Sequence, residues 1–263
     1  MDLSQDYVAR FGGIGRLYGV DALARLHGAH VCVVGVGGVG SWTVEALARS
    51  GVGRLTLIDL DDICVNNSNR QLHTTEHTVG LQKVDVLADR VRAINPECQV
   101  NAISDFFTPE TADALLDADF DWVVDAIDHL RNKVLLIAAC KARGIKVVVA
   151  GGAGGRIDPT QLQVADMTRS GSDGLLRQAR RLLRKEHGFS SDESWEIPCI
   201  FSRERAIYPT PEGGVCHTAP SGESVRLDCS QGFGAATYVT GTVGFMAAGI
   251  VVSDIAGGEA DDQ

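Results

Sequence analysis

Residues 30–61 constrain the fold more than any other part of the chain. They begin with an apolar run, His30-Val-Cys-Val-Val, which enters a turn carrying Gly35, Gly37, Gly38 and Gly40. An amphipathic segment follows, then Leu55-Thr-Leu-Ile, then Asp59 and Asp61. The order is strand, glycine turn, helix, strand, acid: one βαβ unit with Gly-x-Gly-x-x-Gly at Gly35, Gly37 and Gly40. The first glycine allows the tight turn. The second lets backbone approach a phosphate, and the third lets helix pack on strand. The helix N-terminus turns unpaired N–H groups and the positive end of its dipole toward an anion. Asp59 follows about 20 residues on, where a carboxylate accepts hydrogen bonds from ribose hydroxyls. The glycines alone fit any α/β sheet. With strand, helix, strand and terminal acid in order, they predict nucleotide binding.

The alternation continues. Residues 79–94 have helical periodicity through Val84, Leu87, Ala88, Val91 and Ile94, and Asn95-Pro96 stops them. Residues 99–103 read as a strand, and 109–116 as a helix with Thr108 as N-cap. Residues 121–128 read as a strand ending in Asp128, and 131–142 as a helix capped by Gly144. Residues 146–150 form a buried strand entering Gly151-Gly-Ala-Gly-Gly155. This is the pattern of an α/β, Rossmann-like, doubly wound and mostly parallel sheet. Beyond it, residues 155–166 look extended with a turn at Asp158-Pro159, and 175–186 form a basic helix. Strand-like pieces fall in 198–208 and 214–227, and 233–255 is a last helix. These C-terminal mixed strands are expected to extend the same sheet. The chain then divides into an N-terminal arm (1–29), a nucleotide-binding core (30–155) and a C-terminal extension (156–263), all within one ATP-binding domain spanning 1–263.

Composition narrows the setting. The net charge of the 263 residues is −10, which argues against indiscriminate binding to nucleic acid, so no DNA partner is expected. Seven cysteines are present, and no two are spaced Cys-x-x-Cys. With no signal peptide in view, this pattern suits the reducing cytoplasm and mostly buried free thiols. The uncharged stretch ahead of Asp254 is long enough to span a bilayer. It is rich in Gly, Ala and Thr, and no Lys or Arg follows it. Two readings stay open for 233–255: a tightly packed core helix, or membrane association.

The loop after Asp59 separates this chain from a dehydrogenase. Asp61, Asn67, Arg70, Gln71 and Lys83 follow it, and Asp128 ends a later strand. Adenylation needs such a set. Arg and Lys neutralise a triphosphate and the departing pyrophosphate, and a carboxylate holds Mg²⁺ together with phosphate oxygens. Hydride transfer needs no Mg²⁺. On these residues the chain resembles the ubiquitin-activating-enzyme-like adenylating superfamily, which includes the molybdopterin and thiamine sulfur-carrier activators. The resemblance implies ATP bound by Gly35, Gly37, Gly38, Gly40, Asp59, Asp61, Asn67, Arg70, Gln71 and Lys83, with Asp59 on ribose. It implies Mg²⁺ on Asp128. It also implies a homodimer in which Arg16, or less readily Arg10, reaches the partner's site. Arg16, Arg70, Lys83 and Asp128 become the candidate catalytic residues. Sulfur-carrier activators commonly hold zinc in two Cys-x-x-Cys pairs; this chain has none, so no zinc is expected.

Within that superfamily the chain is similar to the tRNA threonylcarbamoyladenosine dehydratases. The motifs are Arg10-Phe-Gly-Gly with Arg16-Leu-Tyr-Gly, Asn66-Asn-Ser-Asn-Arg-Gln, Ile94-Asn-Pro-Glu-Cys98, the 151–155 glycines with Ile157-Asp-Pro-Thr160, and Asp228-Cys-Ser-Gln-Gly-Phe-Gly-Ala235. The implied reaction adenylates the carboxylate of threonylcarbamoyladenosine next to the tRNA anticodon, and an intramolecular nucleophile then displaces AMP and closes a ring. The alternative is adenylation of a sulfur-carrier protein's C-terminus. Cys229 is a candidate thioester thiol or a structural cysteine, and a cysteine desulfurase or sulfur-acceptor partner stays open. In the basic helix, Arg177, Arg180, Arg181 and Arg184 fall at i, i+3, i+4 and i+7, on one face. Such a stripe is either a solvated face or a tRNA phosphate contact.

Overall fold

Strands as apolar as Val31-Cys-Val-Val must be covered on both sides, because successive side chains point to opposite faces of a sheet. The computed structural model describes residues 3–218 and 233–257 and covers both faces with helices. In chain order the elements are α1 (Gln5–Tyr18), α2 (Val20–Gly28), β1 (His30–Val34), α3 (Gly40–Arg49), β2 (Arg54–Ile58), α4 (Lys83–Ile94) and β3 (Gln99–Ile103). Then come α5 (Ala112–Leu115), β4 (Trp122–Asp125), α6 (Leu130–Arg143), β5 (Lys146–Ala150), β6 (Leu162–Asp166) and α7 (Gly174–His187). Last are β7 (Pro198–Ser202), a two-residue hairpin of β8 (Tyr208–Pro209) and β9 (Val215–Cys216), and α8 (Thr237–Gly257).

The main sheet has seven strands in the order β3-β2-β1-β4-β5-β7-β6. Every neighbouring pair is parallel except β6–β7, which is antiparallel. The winding reverses between β1 and β4, and α/β sheets bind ligands above the carboxyl ends of their strands at such a switch. Val31 and Val33 join one core with Val44, Leu47, Leu87, Val243 and Val251 of α3, α4 and α8. Cys32 and Val34 join the other, with Val134, Ile137, Leu176 and Leu183 of α6 and α7. The mostly parallel sheet with its mixed C-terminal edge is the architecture expected from the sequence.

Several local boundaries differ from expectation. The fourth helix begins at Lys83 instead of residue 79, because Gly80 takes φ +87° and its N–H bonds to Ile63 O at 2.8 Å. The segment after Thr108 forms only the single turn of α5. Thr111 serves as its N-cap residue, and its Oγ1 accepts from Thr108 N at 3.0 Å. Strand β4 ends at Asp125, three residues before Asp128. Residues 1–29 are not a loose arm. Ser4 Oγ caps α1 by accepting from Tyr7 N at 3.0 Å. Tyr7 and Phe11, one helical turn apart, are buried with Leu23 of α2, and the Tyr7 hydroxyl donates to Gly51 O beyond the end of α3.

Helix α8 is long and apolar enough to cross a membrane, yet 56% of that stretch is buried within the molecule. Val239, Val243, Ala247 and Val251 are buried in it, and Thr43 Oγ1 donates to Gly244 O at 3.2 Å. Asp254 near its end accepts from Trp122 Nε1 at 2.8 Å and pairs with Lys146 at 2.7 Å. That packing is what a core helix requires.

Candidate nucleotide-binding site

The glycine turn owes its shape to two close approaches. Gly35 takes φ +84°, and a Cβ there would lie 2.9 Å from Ala126 O. A Cβ on Gly40 would lie 1.9 Å from Gly35 O, so only glycine lets α3 start where it does. Ser41 N bonds to Gly37 O and Thr43 N to Val39 O, each at 3.1 Å. Among the described residues no backbone carbonyl accepts from Gly37, Gly38 or Val39. Their N–H groups stand at the positive end of α3, the arrangement that holds phosphate.

Asp59 sits just past β2 and is partly buried at the foot of this turn. Its Oδ2 accepts from Val36 N at 2.8 Å and its Oδ1 from Asp61 N at 2.9 Å. Burial pushes its carboxyl up from the usual range, and the Lys83 ammonium, 3.9 Å away, works against that. Lys83, at the first position of α4, is buried and pairs with Asp61 at 2.7 Å. The loop between them folds back on the glycines. Arg70 lies with its Cγ 3.4 Å from the Cβ position of Gly38, and the Gln71 Nε2 lies 3.6 Å from that of Gly37. Arg70 Nη1 donates to Asn66 O at 2.9 Å and Asn69 Oδ1 at 3.0 Å, while Trp42 Nε1 ties its carbonyl down at 3.0 Å. Asn67 is buried, and its Oδ1 accepts from Cys64 N at 3.0 Å, so it closes the loop that carries Arg70.

Asp128 is exposed, in the turn after β4 whose Ala126 O packs on Gly35. Behind it lies a pair that sequence reasoning missed. Asp125 and Lys133 are both fully buried and 2.9 Å apart. Asp125 Oδ1 accepts from Ile127 N at 3.0 Å, and Lys133 Nζ donates to Ala150 O at 3.0 Å. Burial pushes the Asp125 carboxyl up, and Lys133 opposes it. The clue was an acid at the end of an uninterrupted apolar strand, which needs a cation on the covering helix. Among the described residues no group of three or more His, Cys, Asp or Glu side chains is placed to hold a metal.

The other candidate residues lie apart from this cluster. Arg10 pairs with Asp6 at 2.7 Å, whereas Arg16 is exposed and makes no ion pair among the described residues. The arginine stripe is divided. Arg177 and Arg181 are exposed, but Arg180 turns inward, its Nη1 donating to Ser170 O at 2.5 Å and Met167 O at 3.3 Å. Arg184 lies 5.5 Å over the Trp195 ring. Helix α7 begins near the carboxyl end of β5, where Asp173 caps Leu176 N and accepts from Gly152 N, both at 2.8 Å. Cys229 lies outside the described residues.

A glycine turn ringed by Lys83, Arg70 and Asp59, at the switch point of a doubly wound sheet, defines an α/β protein of the adenylating class. The ThiF family profile matches residues 13–255. A tRNA threonylcarbamoyladenosine dehydratase of Haemophilus influenzae is 50% identical over 252 residues, covering 95% of this chain and 94% of that protein. The crystal structure of the E. coli tRNA N6-threonylcarbamoyladenosine dehydratase in complex with ATP superposes with a TM-score of 0.88 at 42% identity, covering 100% of both chains. Its complex with AMP gives 0.85 at 43% identity over 97% of both. The chain belongs to the ThiF family, and within it to the tRNA threonylcarbamoyladenosine dehydratases.

His73 was also missed. It is buried, and among the described residues neither ring nitrogen has a hydrogen-bond partner. Burial, then the Lys83 charge, pushes its pKa down to about 4. The unfolded chain therefore takes up a proton near pH 6.5 that the folded chain refuses until about pH 4. Stability from this group is complete above pH 6.5 and is lost as pH falls toward 4. In urea titrations across that window, His73→Gln is expected to lose less stability than wild type; parallel losses would show that His73 is not held neutral.

Proposed function

We propose that this chain uses ATP to adenylate the carboxylate of threonylcarbamoyladenosine next to the tRNA anticodon, and that ring closure follows with release of AMP. In the first step a carboxylate oxygen bonds to the α-phosphorus and pyrophosphate leaves with the bridging oxygen. In the second, a nucleophile within the substrate bonds to the acyl carbon, loses its proton, and the bond to AMP breaks. The carrying observation is the Lys83–Asp59–Arg70 ring around the glycine turn, in a chain matched end to end by dehydratases. Those end-to-end relatives favour a tRNA nucleoside over a sulfur-carrier C-terminus as the acyl substrate. All main-sheet strands share one sheet, which supports one adenylating domain.

The glycine-turn N–H groups would receive phosphate, and Asp59 would accept from ribose. Arg70 and Lys83 would offset the growing charge on pyrophosphate, where preorganised charge lowers a barrier most. Mg²⁺ is usually held by one or two carboxylates plus phosphate oxygens, and the exposed carboxylate of Asp128 beside the turn fits that use. Asp128→Ala is expected to keep the fold and lose about 100-fold or more of turnover, the scale on which one electrostatic group contributes. Mass spectrometry of nucleosides from tRNA incubated with ATP and Mg²⁺ reads this out. Normal turnover in a folded variant would remove the metal assignment.

The N-terminal helices support a shared site. Tyr7 rests at the far end of α3, and the Tyr18 hydroxyl lies 3.1 Å from Ser253 Oγ at the far end of α8. Arg16 thus lies on a helix anchored at the ends of α3 and α8 away from the glycine turn. Beside it Leu17 and Val20 are each 77% exposed, an apolar surface suited to a second copy. Mixing Arg16→Ala with Lys83→Ala chains is expected to restore part of the activity that each lacks. No recovery, with subunit exchange demonstrated, would count against a site completed by the partner.

Arg177, Arg181 and Arg184 are the exposed stripe members, and of these Arg177 and Arg181 make no ion pair or cation–π contact among the described residues. Reversing both to Glu is expected to weaken tRNA binding and flatten its salt dependence by about two counterions, leaving ATP affinity intact. An unchanged salt slope would return these residues to a solvated face.

A further inference from the structure

Arg156 follows the 151–155 glycine loop at the carboxyl end of β5, one strand beyond the turn that carries Asp128. The residue is only 6% exposed, and among the described residues neither Nε nor Nη1 has a hydrogen-bond partner. Among the described residues no carboxylate lies within ion-pair distance of it. Its backbone is clamped from both sides. Gly155 N bonds to Gly234 O at 2.7 Å and Ile207 N to Gly155 O at 2.9 Å. Ile157 N and Asp158 N both donate to Glu204 Oε2 at 3.0 Å. Tyr208 and Phe233 stand beside the loop, ring centroids 5.0 Å apart, and Phe233 packs on Gly154 and Gly155.

A guanidinium does not shed its proton in a protein, so burial leaves it charged. A buried charge without a partner is costly. Its planar fork matches a carboxylate or a phosphate oxygen pair. The phosphate-facing cations, Arg70 and Lys83, lie at the β1–β2 side of the switch, whereas Arg156 lies over β5. We infer that Arg156 is the receptor for the substrate's carboxylate, and that Tyr208 and Phe233 wall the attached nucleobase. This rests on the function proposed above. Arg156 would hold the carboxylate oxygen that does not attack phosphorus. That oxygen becomes the carbonyl of the acyl adenylate and gathers negative charge during ring closure, where a fixed cation helps most.

The test uses the full chain with Arg156→Met and Arg156→Lys. Each is measured for thermal midpoint, ATP affinity, and affinity for one tRNA with and without the threonylcarbamoyl group. The cyclisation rate is followed alongside. Removing an unpaired buried charge is expected to leave the thermal midpoint of the Met variant equal or higher, which a structural arginine would not do. ATP affinity and affinity for the unmodified tRNA are expected to hold. Cyclisation at limiting tRNA is expected to fall roughly 10- to 100-fold, the scale of one charge-assisted contact, with the Lys variant between. The preference for the modified tRNA should fall with it. Equal weakening toward both tRNAs would assign Arg156 to backbone phosphate and overturn the inference. So would a lowered midpoint or failure to fold in both variants, or an unchanged rate. If the wild-type protein itself leaves the modified tRNA unconverted, the functional reading fails first and takes this inference with it.

Discussion

The buried pair between Asp125 and Lys133 holds the rest of the site in register. Two charges 2.9 Å apart with no exposure are an expensive way to stabilise a core, since desolvation consumes most of their attraction. What they supply is position. Asp125 fixes Ile127 N, Lys133 fixes Ala150 O, and so the ends of β4 and β5 and the covering helix α6 are tied at one point. The turn that follows β4 then presses Ala126 O against Gly35, and the glycine turn takes its shape from that contact. An apolar pair of the same volume would fill the space without aiming the turn.

The same logic is repeated at lower burial around Asp59. Its oxygens are held by Val36 N and Asp61 N before any ligand arrives, and Lys83 is held between Asp59 and Asp61. Both groups are thereby fixed by the protein itself, and preorganised charge is where electrostatic catalysis gains most. A chain of net charge −10 thereby keeps cations beside the carboxyl ends of its strands: Lys83 and Arg70 toward β2, Arg156 toward β5. Local placement decides what the site binds; net charge decides only what the rest of the surface repels.

Much of this was legible in the sequence because it depends on local pattern. The Gly35–Gly40 turn, the acid at Asp59 and the alternation of strand and helix are short-range features, and their order holds although several element ends shift. The failures are long-range. An acid at Asp125 inside an apolar run was absorbed into a strand prolonged to Asp128, because its partner is eight residues away on another element. Residues 1–29 looked like an arm, since the packing of Tyr7 on Gly51 spans 44 positions. Helical spacing placed four arginines on one face, but it could not show that Arg180 bends back to Ser170. Arg156 and His73 carry no motif at all; only their burial without partners singles them out.

The thiols bear on what kind of catalyst this is. Cys32, Cys98, Cys140 and Cys199 are buried, and burial pushes the last three up to about 12 and Cys32 further still. A thiol so raised is not a thiolate at neutral pH and cannot attack an acyl adenylate. Cys64 and Cys216 are the described thiols with surface access. The groups described around the glycine turn are donors, cations and carboxylates, with the exposed Cys64 thiol in the loop that carries Arg70. On the function proposed above, the nucleophile comes from the substrate, and the protein's part is to hold two anions together while neutralising both. Ring closure then needs no protein thiol, because once the acyl adenylate has formed the attacking atom and the leaving nucleotide sit on the same molecule.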